Sequence, residues 1–413
     1  MSDIVSISNI PSYRIYCIDK NNFIPCLQMI SSTRHIVKRN ISIVTCIDRS
    51  VFPTEPWEQM DTASKTLLSK TNHPTLSISQ IPYCDTNNAL VLPKDATVLT
   101  NCESLVIGSR DEPLLKQILH PDTTPNLKWI HCLAAGVDQL PYTLLRQRAK
   151  LNQSNFLVTH HSDISSTPLA EYCIAGYLHF SKHLTAMQSN YNKKVYERPP
   201  ENKPPVQISN HTTVGCIGFG SIGQKVASIC KAGFNMKVIA MTRTQKPEMT
   251  TDLVDEQLLF NDENMKYLLN NSDLVVLSLP KTEKTNLIID EKELKWMKPD
   301  VVLCNVGRGN AINEKALAKM LNRKAKENEI RGLCAVLDVY NMEPLPIDNV
   351  LWNVPSERIL MSPHSADQTE EYWKDTSNVW LKNAIEYVNG GGGTEGINVL
   401  RDVGHVVNLD EGY

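Results

Sequence analysis

From Thr212 onward the chain alternates short, almost unbroken apolar runs with stretches of helical pattern. The runs are VGCIGF (214–219), MKVIAMT (236–242), DLVVLSL (273–279), VVLCNV (301–306), GLCAVLD (332–338) and RILMS (358–362). Runs this continuous predict parallel strands covered on both faces, because a half-solvated strand would alternate apolar with polar. A helix is expected from Ser221 toward Lys231, with Gly233 as its terminator, and another over Glu314 to Glu329, a stretch rich in Ala, Lys, Leu and Glu. Repeated strand-helix-strand units predict a doubly wound α/β sheet.

The first half is less legible, although ISIVTCI (41–47) and SLVIG (104–108) read as strands of a folded region. Thr167 and Pro168 predict an N-cap and first helical position, opening a helix through EYCIAGYLHF toward Met187. RPPENKPP (198–205) then breaks regular structure and reads as a loop. A last helix is expected from Thr369 to Val388, followed by a flexible turn at Gly390 to Gly393.

Composition narrows the function. The chain has 413 residues, 41% hydrophobic and 21% charged, which suits two large domains with true cores. A net charge of −3 gives no global attraction to nucleic acid or anionic membrane. No apolar run reaches spanning length, and the start MSDIVSISNIPSYR has no signal-peptide layout, so a cytoplasmic protein is expected. Eleven cysteines without a Cys-x-x-Cys pair predict reduced thiols, with neither a disulfide framework nor a metal site. Cys132, Cys216, Cys304 and Cys334, all in apolar runs, read as small buried hydrophobes.

Gly218-x-Gly220-x-x-Gly223 follows an apolar strand and opens a helix. In that context the glycines let a pyrophosphate approach the backbone, where amides at Ser221, Ile222 and Gly223 and the positive helix end meet its charge. A carboxylate usually ends the second strand and bonds the ribose hydroxyls, but Thr242 stands there, with Arg243 next and Lys246 close by. An arginine in place of a carboxylate favours a 2′-phosphate, so NADP(H) is the expected cofactor, with NAD(H) as the second choice. A solvated loop arginine is the alternative for Arg243.

Three further motifs come at strand ends: NVGRG (305–309), DVYNMEP (338–344) and SPHSA (362–366). Carboxyl ends of parallel strands line a ligand crevice, so Arg308, Glu343 and His364 are candidates to converge there. This order resembles the D-isomer-specific 2-hydroxyacid dehydrogenase family. LKWIHCLAAGVDQL (127–140), TPLAEYCIAGYL (167–178), SDLVVLSLPKTEKTNLII (272–289) and VVNLDEGY (406–413) carry the likeness further.

The resemblance implies a catalytic set. Arg308 binds the keto-acid carboxylate and polarises its C2 carbonyl, His364 gives the proton, and Glu343 holds and charges the imidazole. Amides around Ala135 and Gly136 grip the carboxylate, Asp338 holds the nicotinamide carboxamide, and Leu279, Pro280, Thr285, Val306 and Gly307 lie along the cofactor. It further implies two Rossmann-like domains with a cleft between them: a discontinuous substrate domain (1–178 and 366–413), a dinucleotide domain (179–365), and a homodimer.

The expected activity is NADPH-dependent reduction of a small 2-keto acid, such as glyoxylate or hydroxypyruvate, to the D-2-hydroxy acid. Thr242 and Arg243 resemble the glyoxylate and hydroxypyruvate reductase branch. Glu343 argues against the formate dehydrogenase branch, where glutamine faces the histidine. A dinucleotide-sensing, corepressor-like binding protein of the same family is the rival reading.

Overall fold

The structure is a computed structural model, and it describes residues 41–48, 55–71, 76–83, 101–107, 112–152, 155–161, 163–196, 209–245, 252–323, 332–403 and 405–412. In chain order the elements are β1 Ile41–Asp48, α1 Glu55–Thr71, β2 Leu76–Tyr83, β3 Ser104–Ile107, α2 Glu112–Ile118, β4 Trp129–Cys132, α3 Tyr142–Leu151, β5 Leu157–His160, α4 Ser166–Ser181 and α5 Leu184–Asn192. Next come β6 Thr213–Ile217, α6 Ser221–Phe234, β7 Lys237–Thr242, β8 Glu256–Leu259, α7 Asp262–Asn271, β9 Leu274–Leu277, α8 Glu291–Trp296, β10 Val302–Asn305 and α9 Glu314–Leu321. The last are β11 Cys334–Leu337, β12 Ile359–Met361, α10 Tyr372–Asn389 and α11 Gly393–Val403. Two compact units result, residues 1–162 with 370–413, and residues 163–369.

The second unit carries a seven-stranded sheet, β12-β11-β10-β9-β6-β7-β8, in which every pair is parallel. The chain leaves β6 outward through β7 and β8, then returns to add β9 on the other side. The order therefore reverses beside β6, which is where doubly wound sheets open a crevice at their carboxyl edge. Alternate residues of the strands feed two cores. Ile217, Val275, Leu277, Leu303 and Leu337 pack on one face, and Val214, Cys216, Val276, Cys304 and Val336 on the other. That double burial is why the strands read as unbroken apolar runs.

The six expected strands are all present. The strand of this unit that the sequence did not announce is β8, whose EQLL is partly exposed at the sheet edge and so has no apolar signature. Helix α6 runs past Gly233 and ends at Asn235, whose φ of 50° supplies the left-handed cap expected of the glycine. The helix of Thr167 and Pro168 begins slightly earlier, with Ser165 at its N-cap, and breaks at His183 (φ 58°) before α5 starts. The expected helix of 314–329 is α9 as far as Leu321; residues 324–329 fall outside the described residues, as do RPPENKPP and Lys246. The division between units falls at 162/163 and 369/370, whereas the sequence suggested 178/179 and 365/366. Helix α4 packs with α6 in the second unit, and Gly176 lies so near the sheet that an added Cβ would stand 2.5 Å from Val336.

The first unit is a five-stranded parallel sheet, β2-β1-β3-β4-β5, also doubly wound. Leu105, Ile130 and Val158 pack toward Leu115, Leu119 and Leu145, while Ile43, Val106 and Trp129 pack with Met60, Leu67, Trp380 and Tyr387. Edge strand β5 is covered by residues 405–407, with Val407 N–H donating to Val158 O at 2.9 Å and His160 N–H to His405 O at 3.0 Å.

This core holds two buried histidines. His131 pairs its Nδ1 with the Thr159 hydroxyl at 2.9 Å, and His161 meets Leu133 O through Nε2 at 2.9 Å. Burial pushes the His131 imidazole well below its ordinary range and His161 down to about 4, in each case helped by neighbouring histidines. Between pH 6.5 and about 4 the unfolded chain therefore binds more protons than the folded one at His161. Stability rises with pH across that window, and its loss on acidification reaches roughly 3 kcal/mol for this side chain. Urea unfolding should show a midpoint that falls from pH 6.5 toward pH 4, with a shallower fall in His161→Gln, which keeps a donor and cannot titrate. Identical pH slopes for the two chains would refute the assignment.

Candidate active site

The turn after β6 is built from close backbone approaches. Gly218 has a φ of 94°, and a Cβ there would stand 2.9 Å from Ser278 O. A Cβ on Gly223 would stand 2.5 Å from Gly218 O. These two glycines are demanded by the protein itself. Gly220 differs, since a Cβ there would meet nothing within 4 Å. It is also the N-cap of α6 and brings no capping side chain, and no acidic residue lies in the helix's first turn. Open space, amides at Ser221, Ile222 and Gly223, and the positive end of a 14-residue helix fit a phosphate group of a dinucleotide.

Thr242 ends β7, buried, with its hydroxyl donating to Thr244 O and accepting from Gln257 Nε2, both at 2.9 Å. The side chain in the usual ribose position is thus engaged with its own loop. Arg243, next to it, is exposed.

Across the switch point, the loops after β9 and β10 pack backbone on backbone. A Cβ on Gly307 would stand 2.6 Å from Leu279 N, and Val306 N–H donates to Leu277 O at 3.1 Å. Leu279 and Val306 are buried. Thr285 donates to Pro280 O at 2.7 Å, so it fixes the Leu279-Pro280 turn.

Buried Asn305 staples the next loop with both ends of its amide, Oδ1 accepting from Gly307 N–H at 3.1 Å and Nδ2 donating to Arg308 O at 3.0 Å. Arg308, partly buried, donates from Nη1 to Gly307 O at 2.8 Å. Gly309 then passes against the main chain of Tyr340, where any Cβ would collide with the carbonyl carbon. That contact seats the Arg308 loop on the Asp338–Glu343 segment.

The remaining groups are tied to one another. Oδ1 of buried Asp338 accepts from Ser362 Oγ at 2.7 Å, Ser365 N–H at 2.9 Å and Ala366 N–H at 3.1 Å, which clamps the loop that carries His364. Glu343 accepts Tyr340 N–H on Oε1 at 2.9 Å and meets His364 Nδ1 on Oε2 at 2.6 Å. Tyr340 also donates from its hydroxyl to Ser362 O at 2.8 Å; burial raises the phenol's pKa and keeps it a neutral donor. His364 has a φ of 50°, a conformation that side chains rarely adopt and that surrounding contacts must hold. A carboxylate only accepts, so Nδ1 carries a proton and Nε2 is the nitrogen left for proton transfer. Asp338, Glu343 and His364 are thus one bonded group, and Arg308 reaches the same sheet edge through Gly309. Asn305, Tyr340 and Ser362 were missed by sequence reasoning; the one available signal was Asn305, a polar residue inside the apolar run VVLCNV.

In the first unit, Ala135 and Gly136 lie on the loop after β4, at the carboxyl edge of that sheet. The Ala135 carbonyl meets His160 Nδ1 at 2.9 Å. Groups of three or more His, Cys, Asp or Glu able to hold a metal are absent among the described residues. No helix among those residues is long and apolar enough to cross a membrane.

Residues 174–366 match the D-isomer specific 2-hydroxyacid dehydrogenase, NAD binding domain. The chain is 30% identical over 273 residues to a glyoxylate reductase of Thermococcus gammatolerans, covering 65% of this chain and 75% of that protein. It is 27% identical over 305 residues to glyoxylate/hydroxypyruvate reductase B of Escherichia fergusonii, covering 71% and 84%. Among solved structures, a D-isomer specific 2-hydroxyacid dehydrogenase from Xanthobacter autotrophicus, in complex with NADPH and MES, superposes with a TM-score of 0.64 at 20% identity over 91% of this chain and 100% of that one. A D-lactate dehydrogenase from Aquifex aeolicus, complexed with NAD and lactic acid, gives 0.62 at 21% identity over 89% and 98%. Two parallel α/β units, a glycine turn open to a phosphate, and a Glu–His pair at the same sheet edge agree with these matches, and the chain belongs to the D-isomer-specific 2-hydroxyacid dehydrogenase family.

Proposed function

We propose that the protein is an NADPH-dependent reductase of a small 2-keto acid, such as glyoxylate or hydroxypyruvate, giving the D-2-hydroxy acid. The observation that carries this is the 2.6 Å bond between Glu343 and His364, on a loop clamped by Asp338 and beside the seat of Arg308. In this reading residues 163–369 form the dinucleotide domain and the rest the substrate domain. When bound, the dinucleotide supplies the hydride. Arg308 takes the substrate carboxylate and polarises the C2 carbonyl, a job suited to a planar cation with several donors. His364 gives its Nε2 proton to the carbonyl oxygen as charge builds there, and Glu343 holds the ring and offsets the imidazolium. The amides of Ala135 and Gly136 are assigned to the substrate carboxylate. Asp338 uses Oδ1 on the histidine loop, so the nicotinamide carboxamide falls to its other oxygen.

The cofactor reading rests on the exposed Arg243 and the missing carboxylate at Thr242. The NADPH complex of the Xanthobacter protein and the NAD complex of the Aquifex protein show both dinucleotides on this fold. Eleven cysteines, of which Cys102, Cys132, Cys173, Cys216, Cys230, Cys304 and Cys334 are unbridged and buried, support the cytoplasm as its compartment. A homodimer is part of the same reading, supported by α5, which buries none of its residues and exposes Leu184, Met187 and Tyr191 along one stripe.

Loss of nicotinamide absorbance with glyoxylate or hydroxypyruvate tests the activity. His364→Ala should lower kcat about a thousandfold while NADPH still binds. Tight NADPH binding with no turnover on any keto acid would instead favour the dinucleotide-sensing protein. Arg243→Ala should weaken NADPH about tenfold to a hundredfold and leave NADH nearly unchanged, since one charge-assisted bond is worth roughly 1.5–3 kcal/mol. Equal losses for the two cofactors would remove the arginine from the 2′-phosphate site. Light scattering of Met187→Asp with Tyr191→Asp should report a monomer; an unchanged dimer would place the interface elsewhere.

A further inference from the structure

The loop after β4 is held at alternate carbonyls. Leu133 O meets His161 Nε2, Ala135 O meets His160 Nδ1, and Val137 O accepts from the Tyr142 hydroxyl, each at 2.9 Å. Carbonyls only accept, so each of these ring nitrogens must carry a proton. Burial pushes the His161 imidazole down to about 4, which leaves it one proton at neutral pH, committed to Leu133 O. Its Nδ1 is buried with no hydrogen-bond partner among the described residues.

A peptide group is planar and trans, so fixing a carbonyl fixes the N–H of the following residue in the opposite direction. Ala135 C=O shares its plane with the Gly136 N–H, and Leu133 C=O with the Ala134 N–H. Both amides are thereby turned away from the histidines that hold the carbonyls. Neither has a backbone hydrogen-bond partner among the described residues. A bond received at the carbonyl also draws charge from the amide and makes its N–H a stronger donor.

We propose that His160 and His161 are positioning residues for substrate binding: His160 orients and polarises the Gly136 amide through the Ala135 carbonyl, and His161 sets the Ala134 amide through the Leu133 carbonyl. This rests on the reading that the loop's amides take the substrate carboxylate. The histidines act without touching the substrate, and their contribution lies in its binding rather than in proton transfer.

The test measures the KM for glyoxylate and, independently of turnover, calorimetric binding of oxalate to the NADPH-loaded chain. His160→Leu and His161→Leu should each weaken both about threefold to tenfold, with kcat and NADPH binding held within about twofold. His160→Asn places a donor where Nδ1 stood and His161→Gln one where Nε2 stood, so each should recover to within about twofold of the parent. Unchanged KM and oxalate affinity in His160→Leu, or an asparagine variant as impaired as the leucine one, would overturn the proposal. Gly136→Val separates the two levels. If it leaves KM and oxalate binding untouched, the loop is no substrate contact and the underlying reading fails as well. If it impairs both while His160→Leu does not, the positioning role alone falls.

Discussion

Parallel strands leave a sheet at one edge, and everything chemical in the second unit follows from that constraint. The connections after β6, β9, β10, β11 and β12 all begin at the same edge, yet each arrives with a backbone whose polar groups need partners. The protein meets the demand by letting the loops bond one another. Gly307 lies against Leu279 and Gly309 against Tyr340, both without room for a side chain. Asn305 and Asp338 take up amides of the loops that follow. The arrangement of Arg308, Asp338, Glu343 and His364 is therefore set by the same bonds that satisfy the backbone.

Two carboxylates at this edge divide the work by what they accept. Asp338 commits one oxygen to three donors of the 362–366 loop, so its role toward the histidine is mechanical. Glu343 places one oxygen on the main chain and the other on the imidazole, so it is anchored by the same chain segment whose histidine partner it orients. Tyr340 links the two systems, with its amide on Glu343 and its hydroxyl on Ser362. Moving His364 relative to Glu343 would mean breaking several bonds at once, which is how a left-handed φ is maintained at a residue other than glycine.

Much of this was legible in the sequence, for identifiable reasons. Strands buried on both faces leave an unbroken apolar text, so β6, β7, β9, β10, β11 and β12 could be read directly, whereas EQLL at the edge could not. Helix limits were harder because different residues can end or open a helix equally well. Asn235 caps where Gly233 was expected, and Ser165 opens the helix ahead of Thr167 and Pro168. The chemically distinctive residues at the strand ends could be named in advance. The staples Asn305, Tyr340 and Ser362 could not, because a staple is defined by its partner, and partners brought together only by the fold leave no local pattern. The same holds for His160 and His161, whose significance depends on the carbonyls opposite them.

The segment at 405–407 that seals the edge of β5 has a consequence for synthesis. Residues 163–369 are continuous in the chain, so every internal contact of the second unit is encoded before Glu370 is made. The first unit must wait, because Trp380, Tyr387, Ile397 and Leu400 belong to its core and Val407 to its last hydrogen-bonded edge. The unit begun first is thus completed after the one that follows it, and β5 keeps an uncovered edge until residues 405–407 have emerged.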